Sequence, residues 1–109
     1  MLRTTLRNFG LACEAVDNGR DALRLIRDEK PHVVVLDINM PGLDGFGVLS
    51  AIRTEKLPTL VVLLSARQQE EDVLRGFQLG ADDYIAKPFN PPELVARIKR
   101  LLLLTAKAA

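Results

Sequence analysis

The sequence predicts an α/β domain, doubly wound, in which a parallel sheet is covered by helices on both faces. Two short segments, residues 33–37 and 59–64, are almost continuously apolar, as is typical of strands buried on both faces. Amphipathic helical patterns alternate with strands along the whole chain. Because such alternation favours parallel pairing with right-handed crossovers, we expect the carboxyl ends of the strands to meet along one edge of the sheet.

Residues 1–30 predict a helix, a strand and a second helix. Apolar side chains at helical spacing precede Gly10, and residues 11–16 have the pattern of a strand. Asp17 or Asn18 can cap a second helix that runs to about Lys30. Its apolar residues should face inward and its arginines outward: Ala22, Leu23 and Ile26 on one side, Arg20, Arg24 and Arg27 on the other.

Three more strands are predicted, and a polar residue stands at or just after the end of each. They are 33–37 with Asp37, 59–64 with Ser65, and 84–86 with Lys87. Loop-forming residues follow Asp37 at once, so this carboxylate is expected where a buried strand emerges. At the carboxyl edge of an open parallel sheet, that is the usual position of ligands and chemistry.

Three helices complete the pattern. One begins near Asp44 and ends before Pro58, one covers about 69–79 and ends at Gly80, and the last begins with Asn90 as its cap. Their apolar positions are, in order, Phe46, Leu49 and Ile52; Val73, Leu74 and Phe77; and Leu94, Ile98, Leu101 and Leu102. We expect the first and last sets to be buried. The order is α-β-α-β-α-β-α-β-α, in a single domain of residues 1–109.

Composition and charge narrow the function classes. With 48% hydrophobic and 27% charged residues, the 109-residue chain resembles an ordinary soluble domain. The net charge of +1 gives no electrostatic case for nucleic acid or an anionic membrane as a direct partner. No apolar run is long enough to cross a bilayer, and no leader pattern is present. A single cysteine, Cys13, suits a reducing compartment, so we expect a cytoplasmic protein.

The strand ends gather a set of residues suited to a phosphoryl group. The predicted edge collects Asp17, Asp37, Ser65 and Lys87. An aspartate carboxylate can act as a nucleophile, a hydroxyl can donate a hydrogen bond to a phosphoryl oxygen, and a lysine can neutralise its charge. Each residue alone has a simpler explanation, as a loop cap, a strand terminator or a solvated charge. The joint placement favours a phosphoryl site.

Four segments resemble the receiver domains of two-component response regulators. They are VVVLDINMPGLDG at 33–45, LLSAR at 63–67, GADDYIAKPF at 80–89 and NPPELVARI at 90–98. The resemblance implies that Asp37 is the phosphoacceptor, Ser65 the switch hydroxyl and Lys87 the phosphate-binding lysine. Tyr84 would be the aromatic residue that rotates on activation, and Asn39 would offer its backbone carbonyl to Mg²⁺. A sensor histidine kinase would be the partner.

The resemblance also carries expectations about the backbone. Family members have a flavodoxin-like sheet with strand order 2-1-3-4-5. The bond between Lys87 and Pro88 is expected to be cis. The switching surface would comprise the helix at 69–79, the last strand and the last helix, and the domain would be a signalling module and not an enzyme.

The sequence departs from the family pattern at its beginning. Receivers open with a central strand that ends in a pair of acidic residues, whereas here no strand precedes Leu2 and no acid precedes Glu14. We therefore expect weak or absent Mg²⁺ binding, because Asp37 and the Asn39 carbonyl are few ligands for this ion. Phosphorylation of Asp37 would be impaired in consequence. Asp17 is a further candidate ligand.

The departure leaves alternatives open. The strand at 11–16 can move beside the strand at 33–37 and bring Asp17 to Asp37. Two copies can swap or share strands in a homodimer, or associate through the open sheet edge or the last helices. Or the sequence is part of a longer protein. Two functions follow: a phosphorylation-regulated receiver, or a phosphorylation-independent interaction module. An enzyme acting on phosphate esters is disfavoured, because no general acid or base is evident and His32 falls at the opposite edge.

Overall fold

The computed structural model describes residues 18–39, 42–65, 70–88 and 90–108. The predicted helix before Gly10, the strand at 11–16, Asp17 and Cys13 lie outside the described residues. Four helices and three strands alternate within the described part. They are α1 (Gly19–Glu29), β1 (Val33–Asp37), α2 (Gly45–Thr54), β2 (Leu60–Ser65), α3 (Glu70–Gln78), β3 (Asp83–Ala86) and α4 (Pro91–Ala108).

The described strands form a parallel sheet in the order β1-β2-β3. Val33 of β1 pairs with Leu60 of β2, and the register continues to Asp37 with Leu64. Between β2 and β3 the register ends with Ser65 opposite Ala86. The parallel sheet predicted from the sequence is therefore confirmed, and Ser65 is the last residue of its middle strand and not the residue after it.

The middle strand supplies side chains to two hydrophobic cores. Successive residues of a strand point to opposite faces, so Val61 and Leu63 pack on one side and Val62 and Leu64 on the other. The first core also contains α1, α2 and part of β1, and the second contains the buried face of α4. All four of these side chains are buried. Helices thus cover both faces of the sheet, as predicted.

The two helices of the first core begin at the expected caps. The Asn18 side chain accepts a hydrogen bond from the Asp21 amide, and Asp44 accepts one from the Gly47 amide. The predicted inward residues of both helices are buried: Ala22, Leu23, Ile26, Phe46, Leu49 and Ile52. The α1 arginines are exposed, as expected. Lys30 ends α1 in the left-handed region, with φ of 48°.

The helix α3 packs through a glycine and leaves its larger apolar residues outside. Gly76 is buried, and a β-carbon there would lie 2.9 Å from Leu63 Cδ1 and 3.3 Å from the Tyr84 ring. Leu74 and Phe77 are 52% and 46% exposed. Since the close approach is made at Gly76, the neighbouring large residues point away from the sheet. This surface differs from the buried face that a helical pattern normally indicates.

The helix α4 is longer than the sequence pattern required, since it continues to Ala108. Leu94 and Ile98 are buried as predicted, but Leu101 and Leu102 are only partly buried. The expectation of burial was therefore met only in part for these two leucines, which pack at the margin of the second core and keep some contact with solvent. Hydrogen bonds to Asp83 and then to Glu93 raise the pKa of Arg97 on the same helix.

One arginine joins three segments at the amino end of the sheet. Arg53, in the last turn of α2, donates to the Thr59 carbonyl at 2.9 Å and to the Gly80 carbonyl at 2.9 and 3.0 Å. It also forms a salt bridge of 2.9 Å with Asp82, whose carboxylate accepts from the Val61 amide. These contacts, which we call the Arg53 clamp, connect α2 to the segments that enter β2 and β3.

Candidate functional site

The site lies at the carboxyl ends of the three strands, where the sequence places it. Asp37 ends β1, Ser65 ends β2, and Lys87 directly follows β3. The Ile38 amide donates to the Leu64 carbonyl at 3.1 Å, and the Lys87 amide donates to the Ser65 carbonyl at 2.8 Å. These two hydrogen bonds hold the segments after β1 and β3 against the end of the middle strand.

The side chains of Asp37 and Lys87 meet across the middle strand. Lys87 Nζ donates to Asp37 Oδ2 in a salt bridge between residues 50 positions apart in sequence. The side chains of Lys87 and Asp37 are 37% and 33% exposed, so both can be reached from solvent. The other oxygen, Asp37 Oδ1, accepts a hydrogen bond of 2.9 Å from the Asn39 amide. Hydrogen bonds to both oxygens thus fix the orientation of the Asp37 carboxylate.

Ser65 and Tyr84 are placed by the same strands. Ser65 is fully buried at the end of the middle strand, between the strand that carries Asp37 and the strand that precedes Lys87. Tyr84 is partly buried on β3, and its ring lies against α3 at Gly76. The peptide bond between Lys87 and Pro88 is cis, as expected.

The described residues can supply part of a Mg²⁺ site. Asp37 offers a carboxylate and Asn39 a backbone carbonyl, and both are oxygen donors of the kind that Mg²⁺ prefers. Within the described ranges, no group of three or more His, Cys, Asp or Glu side chains comes together as a metal site. Asp17, the further candidate ligand, lies outside them. These donors fit an ion that keeps several of its waters.

Glycine packing supports the loop after Asp37, and the sequence patterns do not predict it. The Gly45 amide donates to the Ile38 carbonyl at 3.0 Å. A β-carbon at Gly45 would lie 2.7 Å from the Asp37 carbonyl oxygen, closer than real side chains come. The sequence carried one signal of this contact: a glycine stands at the first position of α2, although the start of a helix does not require glycine.

Comparison with known proteins agrees with this geometry. The model of the response regulator receiver domain family matches residues 1–99. The chain belongs to this family of receiver domains. It is 44% identical over 109 residues to a probable transcriptional regulator, ycf27, of Guillardia theta. It is 39% identical over 102 residues to the alkaline phosphatase synthesis transcriptional regulatory protein PhoP of Bacillus subtilis.

Solved receiver structures have the same fold. The receiver domain of the Francisella response regulator 1452 matches with a TM-score of 0.91 and 35% identity, covering 95% of this chain and 86% of that one. The two sequence matches cover 100% and 94% of this chain, but only 42% of the length of each of those two regulators. The resemblance in the sequence motifs and the predicted flavodoxin-like α/β fold are therefore confirmed.

Proposed function

We propose that this receiver domain accepts a phosphoryl group on Asp37 from a sensor histidine kinase. The observation that carries the proposal is the salt bridge between Lys87 and Asp37 at the edge where β1, β2 and β3 end. In the proposed step, an Asp37 carboxylate oxygen attacks phosphorus while the bond between phosphorus and the kinase histidine breaks. The histidine nitrogen retains that bond's electron pair, and an acyl phosphate forms on Asp37.

The neighbouring side chains have separable roles in this proposal. Lys87 is already beside the acceptor and can move its charge from the carboxylate to the incoming phosphoryl oxygens. Ser65 would donate its hydroxyl to the phosphoryl group once the group is attached. The Asn39 amide holds Asp37 Oδ1, which leaves the carboxylate in one orientation during attack.

A divalent cation is the proposed cofactor. Asp37 and the Asn39 carbonyl would hold Mg²⁺, with Asp17 as a third candidate. When bound, Mg²⁺ neutralises charge that develops during phosphoryl transfer. We expect weak binding by these groups alone, since one carboxylate and one carbonyl replace few of the ion's waters.

The experiment is incubation with a small-molecule phosphodonor, with and without Mg²⁺, followed by intact-mass measurement. A gain of one phosphoryl group that requires Mg²⁺ and is lost in Asp37→Asn is the expected result. The Asp44→Asn variant is a matched control. Asp44 is a nearby carboxylate, and in the variant the asparagine side-chain oxygen can still accept the hydrogen bond from the Gly47 amide. A gain that persists in Asp37→Asn would exclude Asp37 as the acceptor.

The proposed response to phosphorylation is a change in the surface formed by α3, β3 and α4. Tyr84 joins β3 to α3, and the added phosphoryl charge would bias this surface between two states. The domain would act as a switch and not as an enzyme. In the longer regulators it resembles, recognition of nucleic acid would belong to segments outside this domain; the chain itself would not bind nucleic acid or membrane.

A second candidate function is a phosphorylation-independent interaction module. The exposed Leu74 and Phe77 on α3 favour it, because large apolar residues on a surface often mark a contact. Self-association through the sheet edge or the last helices is the form we propose, and sedimentation at high protein concentration tests it.

No helix in the described part of the chain is both long and apolar enough to cross a bilayer. We propose the cytoplasm as the location, since a single cysteine suits a reducing compartment.

A further inference from the structure

The loop between β1 and α2 contacts the start of α1 at Leu43. Gly19, the first residue of α1, is buried against Leu43 of this loop. A β-carbon at Gly19 would lie 1.6 Å from the Leu43 carbonyl oxygen and 2.8 Å from its Cβ. No side chain tolerates such a distance from a backbone atom, so this approach of helix and loop requires glycine.

The same leucine is confined from the side of α2. A β-carbon at Gly47 would lie 2.5 Å from Leu43 Cδ1, and the Gly47 amide donates to the Asp44 carboxylate at 2.9 Å. Leu43 therefore lies between glycines at the starts of two helices. A β-carbon added at either glycine must displace Leu43 or the helix itself.

A displacement of Leu43 has a short path to the acceptor. Two residues later, Gly45 contacts the backbone of Asp37 and donates to the Ile38 carbonyl. Ile38 is fully buried, so the backbone next to Asp37 has little space in which to absorb a shift. The position of Leu43 is thus linked through Gly45 to the backbone that carries the carboxylate.

Helix formation alone does not explain a glycine at position 19. The cap is supplied by Asn18, whose side chain accepts from the Asp21 amide at 2.8 Å. Alanine at the first position of a capped helix is compatible with that hydrogen bond and has higher helix propensity. The feature that needs glycine is the contact with Leu43.

We propose that Gly19 is a positioning residue for Asp37: the start of α1 supports the loop and so sets the place of the acceptor carboxylate. The kinetic part of this inference rests on the proposed function, whereas the structural part does not. Gly19 touches neither Asp37 nor the phosphoryl group, and it acts through Leu43 and Gly45.

The test compares Gly19→Ala with Ala22→Gly. The second variant weakens the same helix from a buried position without pushing on the loop. Amide ¹H–¹⁵N chemical shifts of Asn39, Gly42 and Gly45 are recorded without Mg²⁺, and the phosphorylation rate by a small-molecule donor is measured where both variants are folded. Gly19→Ala is expected to shift these amides and to slow phosphorylation by about tenfold or more, since a displacement of about 1 Å can cost about 100-fold. Ala22→Gly is expected to change neither.

The Leu43→Ala variant tests the link from Leu43 to the acceptor if Gly19→Ala does not fold. It keeps the Leu43 backbone and Cβ that approach Gly19 and removes the Cγ and Cδ1 atoms that lie against Gly47. Because the proposal acts through Leu43, this variant is expected to shift the same amides and slow phosphorylation. Unchanged loop amides in a folded Gly19→Ala protein, or in Leu43→Ala, would overturn the inference. So would equal slowing in Ala22→Gly. If the wild-type chain gains no phosphoryl group, the proposed function fails, and the amide shifts still decide the role of Gly19.

Discussion

Replacing Arg53 by methionine should destabilise the domain strongly, although Arg53 lies at the opposite end of the strands from the candidate site. The substitution keeps an unbranched apolar stem and removes every hydrogen bond that Arg53 donates. The Thr59 carbonyl, the Gly80 carbonyl and the Asp82 carboxylate each lose a donor, and Asp82 retains only the Val61 amide among the contacts described. At about 1 kcal/mol for each acceptor, the free energy of unfolding should fall by about 3 kcal/mol.

Urea unfolding followed by circular dichroism measures this loss. For a small domain with an m-value of about 1.5 kcal/mol/M, the midpoint should fall by about 2 M. Arg53→Lys should lie between the wild type and Arg53→Met, because lysine keeps the charge but loses the planar fork that reaches two carbonyls. The matched control is Arg27→Met, which removes an exposed arginine paired with Glu55, two residues after Arg53. Equal midpoints for Arg53→Met and Arg27→Met would refute the role given to the clamp.

Three further perturbations test the packing, the pH dependence and the backbone. Leu63→Ala should lower the free energy of unfolding by about 2–5 kcal/mol because Leu63 is fully buried, whereas Leu74→Ala should change it by less than about 0.5 kcal/mol. Thermal unfolding compares the two variants, and equal losses of stability would contradict the described packing. Hydrogen bonding to Arg27 lowers the pKa of Glu55 from its ordinary value of 4.5, so this pair stabilises the fold above that pH and its contribution is lost as the pH falls below it. Arg27→Met should flatten that part of the curve of stability against pH, and an unchanged curve would show that the pair contributes nothing. Lys30→Gly should stabilise the domain by about 0.5–1 kcal/mol in urea unfolding, since Lys30 has φ of 48°; a loss of stability would mean that the lysine side chain makes a favourable contact.

The strands and the polar residues at their carboxyl ends were predictable because their signals are local. An apolar run that ends at Asp37 predicts both a strand and the carboxylate at its end, and a similar run predicts β2. Burial was predicted correctly for β2, whereas in β1 only Leu36 is buried and residues 33–35 are partly buried. Parallel pairing then brings Lys87 to Asp37 without further information. The family motifs added the cis bond and the roles assigned to Tyr84 and Asn39.

The remaining features depend on contacts between distant parts of the chain. The outward position of Phe77 follows from the close approach of Gly76 to the sheet, which a helical pattern does not encode. The Arg53 clamp joins residues up to 29 positions apart, and an arginine near the end of an amphipathic helix looks like an ordinary solvated charge. The contact of Gly19 with Leu43 likewise depends on how two helices and a loop meet in space.

The two-sided packing of β2 constrains the kinds of mutation that this domain can accept. Val61 and Leu63 face one core while Val62 and Leu64 face the other, so deleting one residue inside the strand would exchange their sides. Both cores would then receive side chains shaped for the opposite layer, and Ser65 would leave its place at the end of the strand. Substitutions in β2 that conserve volume should survive selection far more often than single-codon insertions or deletions, and changes in chain length should accumulate in the exposed turn at residues 55–56.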